Sequence, residues 1–181
     1  YKIIKERIKE EGKKCDLNNI DVSKLEDLGC LFQGSEFDGD ISGWNVSNVK
    51  YMEQMFLESK FTGKNGDISK WDVSGCNFMN GMFMYSKFDS DISKWDVSNV
   101  KDMSFMFEYA EFTGQNSDLS QWDVSNVDRT VYVIPDKDGG YALWIKTTNK
   151  TTSSPTPPEI LLFLSTFKLT HFLSNFAIDA A

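Results

Sequence analysis

The sequence predicts an α/β fold: a leucine-rich-repeat-like solenoid of about five short strand–helix units, with a helical N-terminal cap and a β-hairpin C-terminal cap. One phrase recurs, as GDISGWNVSNVKYMEQMF at 39–56, GDISKWDVSGCNFMNGMF at 66–83 and SDISKWDVSNVKDMSFMF at 90–107, and begins again at 117. Its tryptophans, Trp44, Trp71, Trp95 and Trp122, stand 27, 24 and 27 residues apart. Two apolar rhythms alternate inside each phrase, one short and strand-like, one spaced as on a helix. A period of roughly 20–50 residues marks stacked repeats, because so short a unit buries its apolar face only against its neighbours.

Residues 1–15 open as YKIIKERIKEEGKK, where Ile3, Ile4 and Ile8 stand among many charges and Gly12 is a stop. This is an amphipathic helix suited to covering the open end of a stack. The repeat region spans 16–127. It starts with a degenerate unit, Ile20-Asp21-Val22-Ser23 followed by Leu25, Leu28, Leu31 and Phe32, in which Ile20 stands for Trp. In a full unit, Phe88, Ile92 and Trp95 joined by polar residues predict a brief strand around DIS-x-W. Val97, Val100, Met103, Met106 and Phe107 then fall at i, i+3, i+6, i+9 and i+10, the stripe of a short helix, with Asp96 or Ser98 at its start. Gly75-Cys76-Asn77 replaces Asn-Val-Lys in one unit and weakens that start. The three extra residues of alternate units always fall in one place, FTGKNGDIS at 61–69 and FTGQNSDLS at 112–120, as a surface loop tolerates.

After Val127 the pattern stops. In 128–148 two alternating apolar runs flank Asp138-Gly139-Gly140, a β-hairpin signature. Residues 149–158 are a linker by composition. Residues 159–181 are apolar, and three roles compete for them: packing on the stack or on a second copy, contact with a partner or membrane surface, or processing. Lys168 and His171 at the centre of 160–178 make a poor membrane-spanning helix.

Stacking sets like on like. The expected core ladder is Trp44, Trp71, Trp95 and Trp122; Phe37, Phe61, Phe88 and Phe112; Phe56, Phe83 and Phe107; and Met55, Met82 and Met106. Large rings at the junction of two elements fill a core more often than they bind sugars, so a carbohydrate-binding role requires exposed Trp. Letters that vary between copies are free of the core: Gly43, Lys70, Lys94 and Gln121, with Lys64 and Gln115 in the longer loops, are the candidate partner-binding positions.

Charge and chemistry narrow the function. Net charge is −8; residues 139–181 hold two acids (Glu159, Asp179) and three bases (Lys146, Lys150, Lys168), so 1–138 carry −9. An acidic repeat region argues against nucleic acid. Cys15, Cys30 and Cys76 are an odd set and no disulfide framework, with a Cys15–Cys30 bridge and free thiols both open. His171 is the single His and no CxxC occurs, which argues against zinc and against an activated nucleophile. No cofactor and no enzymatic activity are expected. Asp40, Asp67, Asp91 and Asp118 share one repeat position, and Asn45, Asp72, Asp96 and Asp123 another. Stacked carboxylates repel, so something must offset them: backbone N–H groups, or, more weakly supported, calcium at Asp40, Asp67, Asp91 and Asp118. Of two glycosylation sequons, Asn45-Val46-Ser47 is expected to be buried and Asn149-Lys150-Thr151 accessible.

The string DISKWDVSNVKDMSFMF resembles the repeat of BspA-like bacterial surface proteins, over residues 16–127. The resemblance implies an extracellular or surface-displayed leucine-rich-repeat-like module, on a cell or a virion, used for adhesion or for binding a protein or host-surface ligand. No enzymatic activity travels with it. The alternatives are a structural part of a larger assembly, such as a viral fibre, joined to other subunits through 159–181, and a carbohydrate-binding module. Membrane contact is expected only through that apolar segment.

Overall fold

The computed structural model describes residues 1–127, 132–135 and 141–144. The linker at 149–158, the segment 159–181 and the Asp138-Gly139-Gly140 turn lie outside the described residues. Helix α1 (Lys2–Glu11) opens the chain and stops at Gly12, whose φ is 92°. Its Ile4 is buried, and Ile8 packs on the same core as the repeats. The Tyr1 hydroxyl donates to the Asp27 and Gly29 carbonyls at 3.1 and 3.3 Å. Strands β1 (Tyr132–Pro135) and β2 (Tyr141–Trp144) form an antiparallel hairpin, Tyr132 opposite Trp144.

The α/β solenoid of strand–helix units does not form. Among the described residues, α1 is the one α-helix and lies outside the repeats; within them stands only a three-residue 3-10 turn, Leu119–Gln121. No strand occurs in 16–127. Successive units meet instead at isolated parallel bridges, Asp16 with Asp40, Asp27 with Tyr51, Tyr51 with Phe78 and Phe78 with Asp102. Those pairs keep the sequence register, so the repeat length sets which residues lie side by side even though the local structure is turn.

Local hydrogen bonds explain why. In DIS-x-W the Asp40 carboxylate accepts the Ser42 N–H at 2.8 Å and Trp44 N–H donates to the Ile41 carbonyl at 3.1 Å. The segment therefore folds back as an Asx turn followed by a β-turn, and no extended strand is left. The expected helix fails for a different reason. Each unit places two residues in the left-handed region: Gln54 and Glu58, then Gly81 and Tyr85, then Phe105 and Tyr109, each with φ between 54° and 62°. A helix cannot run through such a residue. The chain closes three-residue turns instead, Met55 to Met52, Leu57 to Gln54 and Ser59 to Phe56. Consecutive turns and a helix both return an apolar side chain about every third residue. The stripe that suggested a helix is the inner edge of a string of turns.

Between those turns the free N–H groups reach the next unit. Met52, Gln54, Phe56 and Glu58 donate to the carbonyls of Phe78, Asn80, Met82 and Met84 at 2.8–2.9 Å. Met79, Gly81, Phe83 and Tyr85 donate onward to Asp102, Ser104, Met106 and Glu108 at 2.8–2.9 Å. Half the backbone donors of the segment close turns and half join units, which leaves few buried groups unpaired.

Rings stack along the same direction. Phe37, Phe61, Phe88 and Phe112 form one column with centroids 5.9–6.3 Å apart, and Phe32, Phe56, Phe83 and Phe107 another at 5.4–5.7 Å. The columns touch, as at Phe83 and Phe88 (4.1 Å). Trp44, Trp71 and Trp95 stack at 6.4 and 6.5 Å, and each indole N–H donates to a carbonyl of the preceding unit: Leu17, Ile41 and Ile68 at 2.9, 3.2 and 3.0 Å. The Nε1 of Trp122 is buried without an acceptor among the described residues.

Candidate functional site

Every ladder residue named from the sequence is buried: the four Trp, the Phe columns, and Met55, Met82 and Met106. The tryptophans thus offer no ring face to a sugar. Lys70, Lys94, Gln121, Lys64 and Gln115 are exposed, spread over the turns that follow each Asp and over the longer loops rather than gathered on one turn. Those loops are pinned. The Thr62 N–H and hydroxyl both donate to the Asp38 carboxylate at 2.8 Å, Asn65 Nδ2 donates to its other oxygen at 2.8 Å, and Thr113 repeats the clasp on Asp89.

The Asp columns hold turns. Asp67 accepts the Ser69 N–H at 2.9 Å and Asp91 the Ser93 N–H at 2.8 Å; Asp72, Asp96 and Asp123 do the same for Ser74, Ser98 and Ser125 at 3.0–3.1 Å. No group of three or more His, Cys, Asp or Glu side chains is arranged to hold a metal ion among the described residues. Asn45 is exposed, correcting the expectation that its sequon is buried: its side chain accepts the Ser47 N–H at 3.1 Å at an outer corner. Cys15, Cys30 and Cys76 are free thiols. Burial pushes Cys76 up to about 12, so it is an unreactive filler where the other full units carry Val.

These turn bonds tie stability to acid. The Ser98 hydroxyl and then its N–H hold Asp96 below the ordinary carboxylate value, and Ser23 does the same for Asp21. Burial pushes Asp91 upward, but the Ser93 N–H and hydroxyl outweigh it and leave it lowered. A depressed folded-state pKa stabilises fully above the unfolded value of about 3.9 and is lost as pH falls below it. Burial raises Glu53 and Glu108, whose contribution runs the other way: present at low pH, lost as pH rises through their folded values. Thermal melts followed by circular dichroism are therefore expected to drop as pH falls from about 4 to 2.5. Ser98→Ala will flatten part of that fall, and an acid limb unchanged by it would remove Asp96 from the cause.

Among the described repeat residues, the aromatics that are not buried gather in one segment of the unit. Met52, Met55, Phe56 and Ser59 are buried, while residues 51 and 58 are exposed and 54 is half-buried, and in the later units Tyr85, Phe105 and Tyr109 are exposed at the equivalent positions. At the first position Tyr51 stacks on Phe78 at 5.6 Å. At the last, Tyr85 stacks on Tyr109 at 4.8 Å. Phe105 stands at the middle position in a left-handed conformation and is 56% exposed, with Tyr85 and Tyr109 at 48% and 56%. Half-buried Leu57 and Met84 lie between these positions. Scattered apolar side chains are normal on a surface, but these aromatics recur at the same register positions of adjacent units, as two stacked pairs and Phe105. Acids flank them. Beside burial, Asp27 and Asp102 push Glu53 upward, and Glu108 and Glu58 do so for the Tyr85 hydroxyl. None of these five acids is in an ion pair with another described residue; the ion pairs on the repeats join Lys13 to Glu36, Lys50 to Glu26 and Lys87 to Glu111.

The repeat that builds this face matches a known family twice, over residues 6–110 and 35–137. The chain belongs to the family described as "Mycoplasma protein of unknown function, DUF285". The two DUF285 matches overlap and together run from residue 6, within α1, to residue 137, so one family covers the whole stack. No curated protein and no solved structure matches the chain.

The sequence missed the face. Its signal is present: Tyr51, Phe78, Tyr85, Phe105 and Tyr109 are aromatics at positions where other copies carry Asp, Gln, Gly or Glu. A helix assumed over Val97–Phe107 merged the inward and outward phases, and the outward aromatics went uncounted.

Proposed function

We propose that the chain is a non-catalytic interaction module, displayed on a surface, that binds a protein partner on the aromatic face of its repeats. The observation that carries this is the outward row Tyr51, Phe78, Tyr85, Phe105 and Tyr109, on a chain that buries its other repeat rings. DUF285 membership is consistent with the finer kinship to BspA-like surface repeats, and that kinship supports display outside a cell or on a virion. Tyr85 and Tyr109 each cover one face of the other, and Phe105 stands 56% exposed beside carboxylates. Exposed rings flanked by acids suit apolar and cationic side chains.

The test is selection of a random peptide library on the purified chain. Enriched peptides are expected to carry aromatic or aliphatic residues with Lys or Arg. Their retention is expected to fall at least tenfold on a Tyr85→Ser, Phe105→Ser, Tyr109→Ser variant, a loss of about 1.4 kcal/mol or more. Retention is expected to survive Lys70→Ala with Lys94→Ala. Peptides that depend on those lysines and ignore the aromatics would place the partner site on the varying letters of the repeat instead.

A further inference from the structure

The aromatic face is acidic and apolar at once, and the same chain carries a segment of the opposite character. The face unites Tyr51, Phe78, Tyr85, Phe105 and Tyr109 with Glu53, Glu58, Asp102 and Glu108 along its flanks. Residues 160–178 read ILLFLSTFKLTHFLSNFAI: they hold no acid, and their two ionisable side chains, Lys168 and His171, are basic and sit mid-segment among Phe163, Phe167, Phe172 and Phe176. An apolar segment with basic groups at its centre is poorly matched to water and poorly matched to a bilayer core. It is matched to an aromatic surface rimmed by carboxylates that, among the described residues, make no ion pair.

We infer that the segment 159–181 docks on the aromatic face of its own chain, with Lys168 and His171 set against the Glu53, Glu58, Asp102 and Glu108 rim. The proposal rests on reading that face as a docking site, and names its resident occupant. Residues 145–158 join the end of β2 to this segment. A random-coil tether of such length spans roughly 5–6 Å times the square root of its residue number, about 20 Å. Units joined by backbone hydrogen bonds stand about 5 Å apart, so that reach is comparable to the height of about four units. Tethering also supplies an effective concentration on the order of millimolar, so even a weak contact is populated. An outside partner then competes with the chain's own segment, and binding by that partner frees 159–181.

The experiment uses the full-length chain with the photoreactive substitution Phe105→p-benzoylphenylalanine, at an exposed position on the face. Irradiation of the dilute monomer is expected to give an intramolecular cross-link mapped by mass spectrometry to 159–181. Its yield should fall several-fold with Lys168→Glu and with 0.5 M salt, because screening weakens exposed charge pairs. A Phe167→Ser, Phe172→Ser variant should lose it as well. Equal thermal melts for all variants exclude unfolding as the cause. Cross-links that avoid 159–181, a cross-link only between two chains, or a yield indifferent to Lys168→Glu would each overturn the proposal. The peptide selection above is read separately. Peptides bound on the face with no cross-link to the tail would leave the docking site standing and remove its resident occupant.

Discussion

Trp71→Ala is expected to lower the unfolding free energy by about 3–5 kcal/mol, the range for truncating a buried aromatic to alanine. Trp71 is 4% exposed and lies between Trp44 and Trp95 at 6.4 and 6.5 Å. Its loss opens a cavity between two units and leaves the Ile41 carbonyl, now 3.2 Å from the indole Nε1, without that donor. Neighbouring units cannot close the gap, because their spacing is fixed by backbone bonds such as Met52 to Phe78 and Phe56 to Met82. Against a typical stability of about 5–15 kcal/mol the loss is large, and a melting point lower by roughly 10 °C follows for a chain of this size. Trp71→Phe keeps a ring and loses the N–H, so it should recover much of the loss; the missing hydrogen bond alone is about 1 kcal/mol. Trp122→Ala should cost less than Trp71→Ala, since Trp122 has no described indole acceptor to orphan. Urea denaturation of the three variants decides it. A Trp71→Ala loss below about 1 kcal/mol would mean that the Trp column does not hold the units together.

Register was legible in the sequence; the local structure of the repeat units was not. Counting Trp to Trp gives the offsets at which Asp27, Tyr51, Phe78 and Asp102 pair as parallel bridges. Burial of the Trp, Phe and Met columns follows from the same count, because a stack sets each residue on its copy. The strand and the helix failed because they were inferred from spacing alone. Ile92 and Trp95 are three residues apart, and Trp95 N–H donates back to the Ile92 carbonyl at 3.1 Å, a turn that apolar spacing does not separate from a strand. Val97, Val100, Met103 and Met106 have a period near three, shared by helices and by consecutive turns. The discriminating fact is Phe105 at φ 60° and Tyr109 at φ 55°, and nothing in aromatic side chains announces a left-handed backbone. Only Gly34 and Gly81, at the same positions in other units, hint at it. The candidate site suffered from the same error. Once 51, 54 and 58 are seen as outward positions, the aromatic face can be read from the letters that fill them.

Gly39→Ala is expected to cost roughly 3 kcal/mol or more, at or beyond the upper end for overpacking a tight site. A Cβ at residue 39 would lie 2.1 Å from the Cys15 carbonyl oxygen, 2.6 Å from the Phe37 ring and 3.0 Å from the Lys14 carbonyl carbon. Two of those atoms are backbone. The third belongs to a fully buried ring stacked on Phe32 and Phe61 at 4.8 and 6.2 Å, which cannot swing away. Relief therefore requires the chain at 13–16 to move off, breaking Asp38 N–H to the Lys13 carbonyl (2.7 Å), Asp40 N–H to Cys15 (3.1 Å) and Leu17 N–H to Asp40 (2.9 Å). These bonds attach the degenerate first unit, and α1 with it, to the full repeats. Hydrogen exchange should accordingly report lost protection at Leu17 and in α1 while Met79, Phe83 and Tyr85 keep theirs. Gly34→Ala separates clash from backbone strain. Gly34 has φ 63° and nothing within 4 Å of where a methyl group would stand, so its cost is the left-handed conformation alone, about 1–2 kcal/mol. Ser90, the register equivalent of Gly39, carries a side chain because its hydroxyl donates to the Thr62 carbonyl at 3.0 Å, a fit the Cys15 side lacks. If Gly39→Ala melted like the parent chain, or cost no more than Gly34→Ala, the close approach of residue 39 to Cys15 would not be what fastens the first unit to the stack.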